Sequence, residues 1–97
     1  MLVVFVLERV PASVRGDLSR WLLEPHAGVF VGNINADVRD RLWRRICKHA
    51  GDGSCLLVHE SPDVEQRFTL STFGDPARVL RDFDGLALVE LPSRSLT

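Results

Sequence analysis

Glu8 closes the apolar run Leu2-Val3-Val4-Phe5-Val6-Leu7. A sheet holds the side chains at a strand end rigidly, and a carboxylate placed there can ligate Mg²⁺. One carboxylate falls short of a metal site, but a second copy related by a two-fold axis would supply another. The plainer reading is a solvated glutamate at a strand end. The second chemical feature is arginine. Of the 12 basic residues, every one except Lys48 is arginine. The planar guanidinium suits bidentate phosphate contacts, although a GC-rich genome produces the same bias. Residues 36–50 set Arg39, Arg41, Arg44, Arg45 and Lys48 against Asp37 and Asp40, five bases to two acids and a local charge of +3. Residues 51–66 hold Asp52, Glu60, Asp63 and Glu65 with no base, a local charge of −4. Other chemistries lack their signatures. No G-x-S-x-G nucleophile motif is present, and Gly28-Val29-Phe30-Val31-Gly32 has no following lysine to make a phosphate loop. Cys47, His49, Cys55 and His59 lack the paired spacing of structural zinc sites. Both thiols read as small buried hydrophobes, and a bridge between them is disfavoured in a reducing compartment.

The elements that must position these residues follow from periodicity. The chain has 97 residues, enough for one small domain. Its 45% hydrophobic and 26% charged composition is ordinary for a globular protein, and a net charge of −1 excludes coating of nucleic acid by bulk attraction. Any nucleic-acid contact must come from a local patch. No run of about 18 apolar residues offers a membrane span, and with no basic leader before the first apolar run the expected compartment is the cytoplasm. Residues 2–7 suit a central strand apolar on both faces. Residues 12–23 carry Val14, Leu18, Trp21 and Leu22 at helical spacing, and Glu24-Pro25 is expected to end that helix. Residues 27–32 form a short strand. Asn33 or Asn35 can cap a helix over 36–50, in which Val38, Leu42, Ile46 and Ala50 recur every four residues. Gly51 and Gly53 stop it. Residues 54–60 and 67–73 read as strands joined at Ser61-Pro62-Asp63, residues 74–85 as a polar loop, and 86–91 as a last strand. The domain thus spans 1–92, with 93–97 a flexible tail.

The order β-α-β-α-β-β-β places both helices on one face of a mainly antiparallel sheet, an α+β, ferredoxin-like arrangement. A first strand apolar on both sides then implies a homodimer through the open face. On the second helix, Arg41, Arg44, Arg45 and Lys48 line the side away from Val38 and Leu42. This is either a phosphate-facing strip or a solvated face laced by Asp37–Arg41 and Asp40–Arg44 pairs at i,i+4 spacing.

Several stretches together resemble one family. They are Leu2-Val3-Val4 to Glu8, Arg15-Gly16, Trp21-Leu22-Leu23-Glu24, Ala27-Gly28-Val29-Phe30-Val31-Gly32, Thr72-Phe73-Gly74 and Asp84-Gly85-Leu86. The resemblance is to the second, smaller universal CRISPR-associated (Cas) adaptation protein, in its subtype I-E form, and it spans residues 1–92. The resemblance implies a symmetric dimer at the centre of a complex with the larger Cas integrase. That complex captures a short foreign DNA duplex and inserts it into the CRISPR array as a spacer. The small protein's basic residues hold the duplex by its phosphates, and its C-terminal strand and tail dock onto the integrase. By position, Arg15, Arg39 and Arg78 match basic residues of the family, and Gly16 beside Arg15 would let a phosphate approach the backbone. Ser13, Asp37 and Ala77 depart from the family's basic pattern, a loss that Arg9, Arg41 or Arg81 can offset. Some members were assigned metal-dependent nuclease activity through a carboxylate at the end of the first strand, the place of Glu8 here. Two functions are therefore expected in order: a DNA-holding scaffold of spacer acquisition, and alternatively a Mg²⁺-dependent endonuclease acting on RNA or DNA, with Glu8 as its catalytic and metal-binding residue.

Overall fold

Alternation along an extended chain sends successive side chains to opposite faces, and the strand β1 (Leu2–Glu8) is apolar on both. In the computed structural model, which describes residues 1–74 in full and residues 79–83 and 86–90 as backbone, Val3, Phe5 and Leu7 are buried on one side of β1. Val4 and Val6 occupy the other side, half-buried. The helix α1 (Ala12–Ser19) follows, then β2 (Leu23–His26), β3 (Val29–Asn33), the helix α2 (Ala36–His49), β4 (Ser54–Glu60) and β5 (Phe68–Phe73). A two-stranded sheet of β6 (Val79–Phe83) and β7 (Leu86–Glu90) completes the order.

The main sheet runs β2-β3-β1-β4-β5, with every neighbouring pair antiparallel. Its first four strands and two helices form the β-α-β-β-α-β unit of the ferredoxin-like fold, with β3 and β1 at the centre. Phe5 stands opposite Phe30 on β3 and Leu57 on β4. These three side chains meet Val14 and Leu18 of α1 and Leu42 and Ile46 of α2 in one core cluster. Both helices therefore cover the same face. No helix among the described residues lies on the other, where Leu2, Val4, Val6, Val29, Val31, Leu56, Val58 and Leu70 follow from the register. No helix among the described residues is long and apolar enough to cross a membrane.

The second helix forms as its spacing predicts. Asn35 caps it, its side-chain oxygen accepting the Val38 N–H at 2.9 Å. Gly51, at φ +61°, turns the chain out of it, in a conformation that costs a residue with a Cβ. The first helix is shorter than its apolar stripe predicts. It ends at Ser19, and Trp21 and Leu22 then donate to the Leu18 carbonyl. Leu22 still reaches the core, whereas Trp21 is 51% exposed. The reason lies at Pro25, which forces Glu24 out of the helical region. Extension continues back to Leu23, which pairs with Val31. A proline has no N–H to give a ladder, so it is tolerated on this edge strand. Likewise, β6 lies within residues expected as loop, its charged Arg81 and Asp82 having masked the strand. Residues 75–78, 84–85 and 91–97, including the expected tail, lie outside the described residues.

At the Glu8 end of the sheet, backbone meets backbone. Gly28 has φ +81°, and a Cβ there would sit 2.6 Å from the Leu7 carbonyl oxygen. A Cβ on Gly53 would sit 2.5 Å from that of Arg9. Both close atoms are backbone, so no flexible side chain can give way. Gly28→Ala is therefore expected to cost about 1–3 kcal/mol in urea unfolding. An unchanged midpoint and slope would show that the β2–β3 turn has slack that this packing denies.

Candidate nucleic-acid interface

Arg15 sits on α1, half-buried, at the edge of the face that carries the core residues Val14 and Leu18. Its guanidinium donates to Glu24 Oε2 at 3.0 Å. The same carboxylate oxygen accepts the Gly28 N–H at 2.9 Å. One glutamate thus joins α1, the edge strand β2 and the turn into β3. The Gly28 N–H first, and the Arg15 guanidinium second, hold the Glu24 carboxyl below its ordinary range, against a smaller opposing effect of burial. Gly16 is exposed, and a Cβ added there would meet nothing within 4 Å.

Arg39 is drawn further in, with its side chain only 18% exposed. It donates to Asp40 Oδ1 at 2.9 Å and lies 3.4 Å from both Met1 Sδ and His59 Nδ1. It therefore ties α2 to the start of β1 and the end of β4. Arg45 pairs with Asp17, bridging α2 to α1. The helix-surface pairing expected from i,i+4 spacing does not form. Asp40 turns to its neighbour Arg39, and among the described residues Arg41 and Arg44 have no ion-pair partner. Arg20 and Lys48 are exposed and equally unpaired among those residues. Arg78, and Ala77 and Arg81 among the positions weighed with it, carry no described side chain. Ser13 and Asp37 are exposed.

Glu8 is 63% exposed and its carboxylate lies 3.7 Å from the Arg9 guanidinium. Alternation puts it on the same face as Val4 and Val6, at the rim of the open side, opposite Ser54 of β4. Arg9 follows at φ +56°, a conformation few non-glycine residues adopt. Among the described residues no three His, Cys, Asp or Glu side chains gather in a group that could hold a metal. One carboxylate with an arginine beside it does not make a Mg²⁺ site, since the ion needs several oxygens in near-octahedral array. Cys47 and Cys55 are both free. Burial, with a smaller contribution from Cys47, pushes the Cys55 thiol up to about 12, and burial raises Cys47 as well. Neither is a ready nucleophile at neutral pH.

Sequence reasoning missed Glu24 as a positioning group and Trp21 as a surface residue. Glu24 was legible only as the residue before a proline. Its partners stand four and nine positions away, in the following turn and on the preceding helix, so that no single element's periodicity points to them. Trp21 and Leu23, the latter 78% exposed, border a shallow groove with Arg20, Val31 and Asn33.

The Glu24 network gives a pH dependence with a definite sign. A carboxyl held below its unfolded value stabilises the fold above that value and loses the contribution as pH falls through the folded one. The stability gap between parent and Glu24→Gln is expected to be full at pH 7 and to shrink as the pH drops below about 4.5, the ordinary value. Urea titrations at pH 7, 5 and 3.5 test this. A gap that stays constant across the series would remove Glu24 from the network.

A sheet open on one side, a one-sided helical layer and arginines graded from buried to free now stand beside a direct comparison. The family model described as CRISPR-associated protein (Cas_Cas2CT1978) matches residues 1–88. That span covers β1 through the middle of β7, nearly the whole chain, and the chain belongs to this Cas2-type CRISPR-associated family, whose role is in CRISPR adaptation.

Proposed function

We propose that the chain is a dimeric, DNA-holding scaffold of the complex that acquires new CRISPR spacers, of the subtype I-E kind, working in the cytoplasm. The observation that carries this reading is the apolar sheet face on which no helix of the described residues lies. Five strands about 4.8 Å apart and about 20 Å long give that face a footprint on the order of 500 Å². Apolar patches of that size on a soluble protein mark an interaction site. A second copy, related by a two-fold axis, meets it with a face of the same chemistry. The duplex then lies against basic residues of both copies, and the larger Cas integrase docks at the ends of the dimer, with the C-terminal strand as its contact.

Phosphate binding by Arg15, Gly16, Arg39 and Arg78 belongs to this reading. Gly16 supports it in a specific way. Glycine costs a helix about 1 kcal/mol relative to alanine, yet no neighbour at Gly16 demands it. A phosphate approaching the backbone beside Arg15 gives the glycine a reason. Arg15 keeps N–H groups beyond the one given to Glu24, so a single guanidinium can serve both partners.

The alternative, a Mg²⁺-dependent endonuclease, rests on Glu8 at the rim of the open face, where a two-fold axis would bring a second Glu8 near. Two long, flexible glutamates beside two arginines are poor provision for an ion that needs rigid octahedral oxygens. The scaffold reading is therefore preferred, and Glu8→Ala separates the two. Parent and variant are each purified with the integrase and a duplex of spacer length, and each is run in a spacer-acquisition assay beside a cleavage assay. The expected result is a complex of all three components and undiminished acquisition in the variant, with any slow Mg²⁺-dependent cleavage by the isolated protein lost. A variant that still dimerises and binds the integrase but acquires no spacers would make this an enzyme.

A further inference from the structure

On α2 the cations divide by what they face. Arg39 and Arg45 are held by Asp40 and Asp17. Arg41, Arg44 and Lys48 are exposed and, among the described residues, unpaired. At 100° per residue these three fall within an arc of about 60°, on the side of the helix turned away from the buried Leu42, Ile46 and Ala50. Asp37 lies in the same arc one turn earlier. It is in the first turn of the helix, where a negative charge is favoured by the free N–H groups. The stripe beyond it is purely basic. None of the large exposed hydrophobic residues, Leu2, Trp21, Leu23 and Phe68, belongs to α2.

We propose that Arg41, Arg44 and Lys48 form a phosphate-binding stripe for a DNA duplex, separate from the position of Arg15. The proposal rests on the reading above that the chain's ligand is duplex DNA, and it adds a contact surface to it. Protein interfaces bury apolar cores and leave charges at the rim, so a stripe of cations with no apolar member fits a polyanion better than a protein surface. The lengths also match. From Arg41 to Lys48 the helix rises about 10.5 Å, the distance over which one strand advances about three phosphates along the duplex axis at 3.4 Å each. Two of the three groups are guanidinium forks, which grip phosphate oxygens in pairs. Side chains on a capped, packed helix hold that spacing without a loop having to order.

The test uses the full chain and fluorescein-labelled duplexes of two unrelated sequences, with anisotropy read from 50 to 300 mM salt. The triple variant Arg41→Gln, Arg44→Gln, Lys48→Gln keeps helix-compatible residues at exposed positions, and circular dichroism checks that it folds. Its binding is expected to fall about tenfold or more at 50 mM salt for both duplexes, and the slope of log K against log salt to shrink by about 2–3. The charge-keeping variant Arg41→Lys, Arg44→Lys is expected to retain the parent slope. If the parent binds and the folded triple variant binds with the same slope, the stripe is overturned while the DNA reading stands. The stripe would then be left to an acidic protein surface. If the parent binds neither duplex at 50 mM salt, the DNA reading fails and the stripe falls with it.

Discussion

The structure depends on β1 being apolar on both faces while the helices among the described residues cover only one. Val3, Phe5 and Leu7 turn to α1 and α2 and are almost fully buried. That placement is imposed by the pleat: once Phe5 packs between Phe30, Leu57 and the helices, Val4 and Val6 must emerge on the other side. β3 and β4 repeat the pattern, so the second face is paved with Val29, Val31, Leu56 and Val58. A slip of one residue in β1 would merely exchange one apolar set for another, and Glu8 and the ladder around it then fix the register. The tight backbone approaches of Gly28 to Leu7 and of Gly53 to Arg9 lock that end of the strand. The fold is therefore specified by packing at its Glu8 end and by the helices above, and its unused face is a by-product of the same alternation.

Electrostatics sorts the arginines by a second rule. Three carboxylates in and beside the helix layer each take one cation and use it to join elements. Glu24 takes Arg15 to hold the edge hairpin to α1, Asp17 takes Arg45 to hold the helices together, and Asp40 takes Arg39 over the start of β1. Such exposed or half-exposed pairs contribute modestly to stability. Their larger consequence is to decide which positive charges stay wholly uncommitted within the described chain. What remains on α2 is a single stripe, so an almost neutral protein presents a local basic surface.

Much of this was legible in the sequence. The continuous run at residues 2–7, the four-residue spacing from Val38 to Ala50, the Asn35 cap and the Gly51 stop each state their element through local chemistry, and the helical layer and antiparallel sheet follow from their order. The family was readable from strings such as Trp21 to Gly32. What the sequence hid was hidden for physical reasons. Trp21-Leu22-Leu23 continues the apolar stripe of α1, so only the tertiary pairing of Leu23 with Val31 reveals β2. The strand β6 carries Arg81 and Asp82 in its middle, which erases its pattern. The choice of ion pairs was least legible of all. Asp40 has Arg44 at helical spacing and takes Arg39 instead, and Arg45 finds Asp17 on another helix, 28 residues away. Local spacing could not report partners fixed by the packing of α1 on α2.

The central claim is that the open sheet face is a self-complementary surface. Sedimentation equilibrium of the full chain at micromolar concentration, with the parent beside Val4→Glu and Val58→Glu, tests it most directly. Both positions are half-buried on that face and outside the core, so each charge should leave the helical layer folded. The account predicts about twice the mass of one chain for the parent, as standard-size interfaces commonly hold at that concentration. It predicts one chain mass for each variant, with an unchanged circular dichroism spectrum. A parent that sediments as a monomer, or variants that remain dimers, would contradict it.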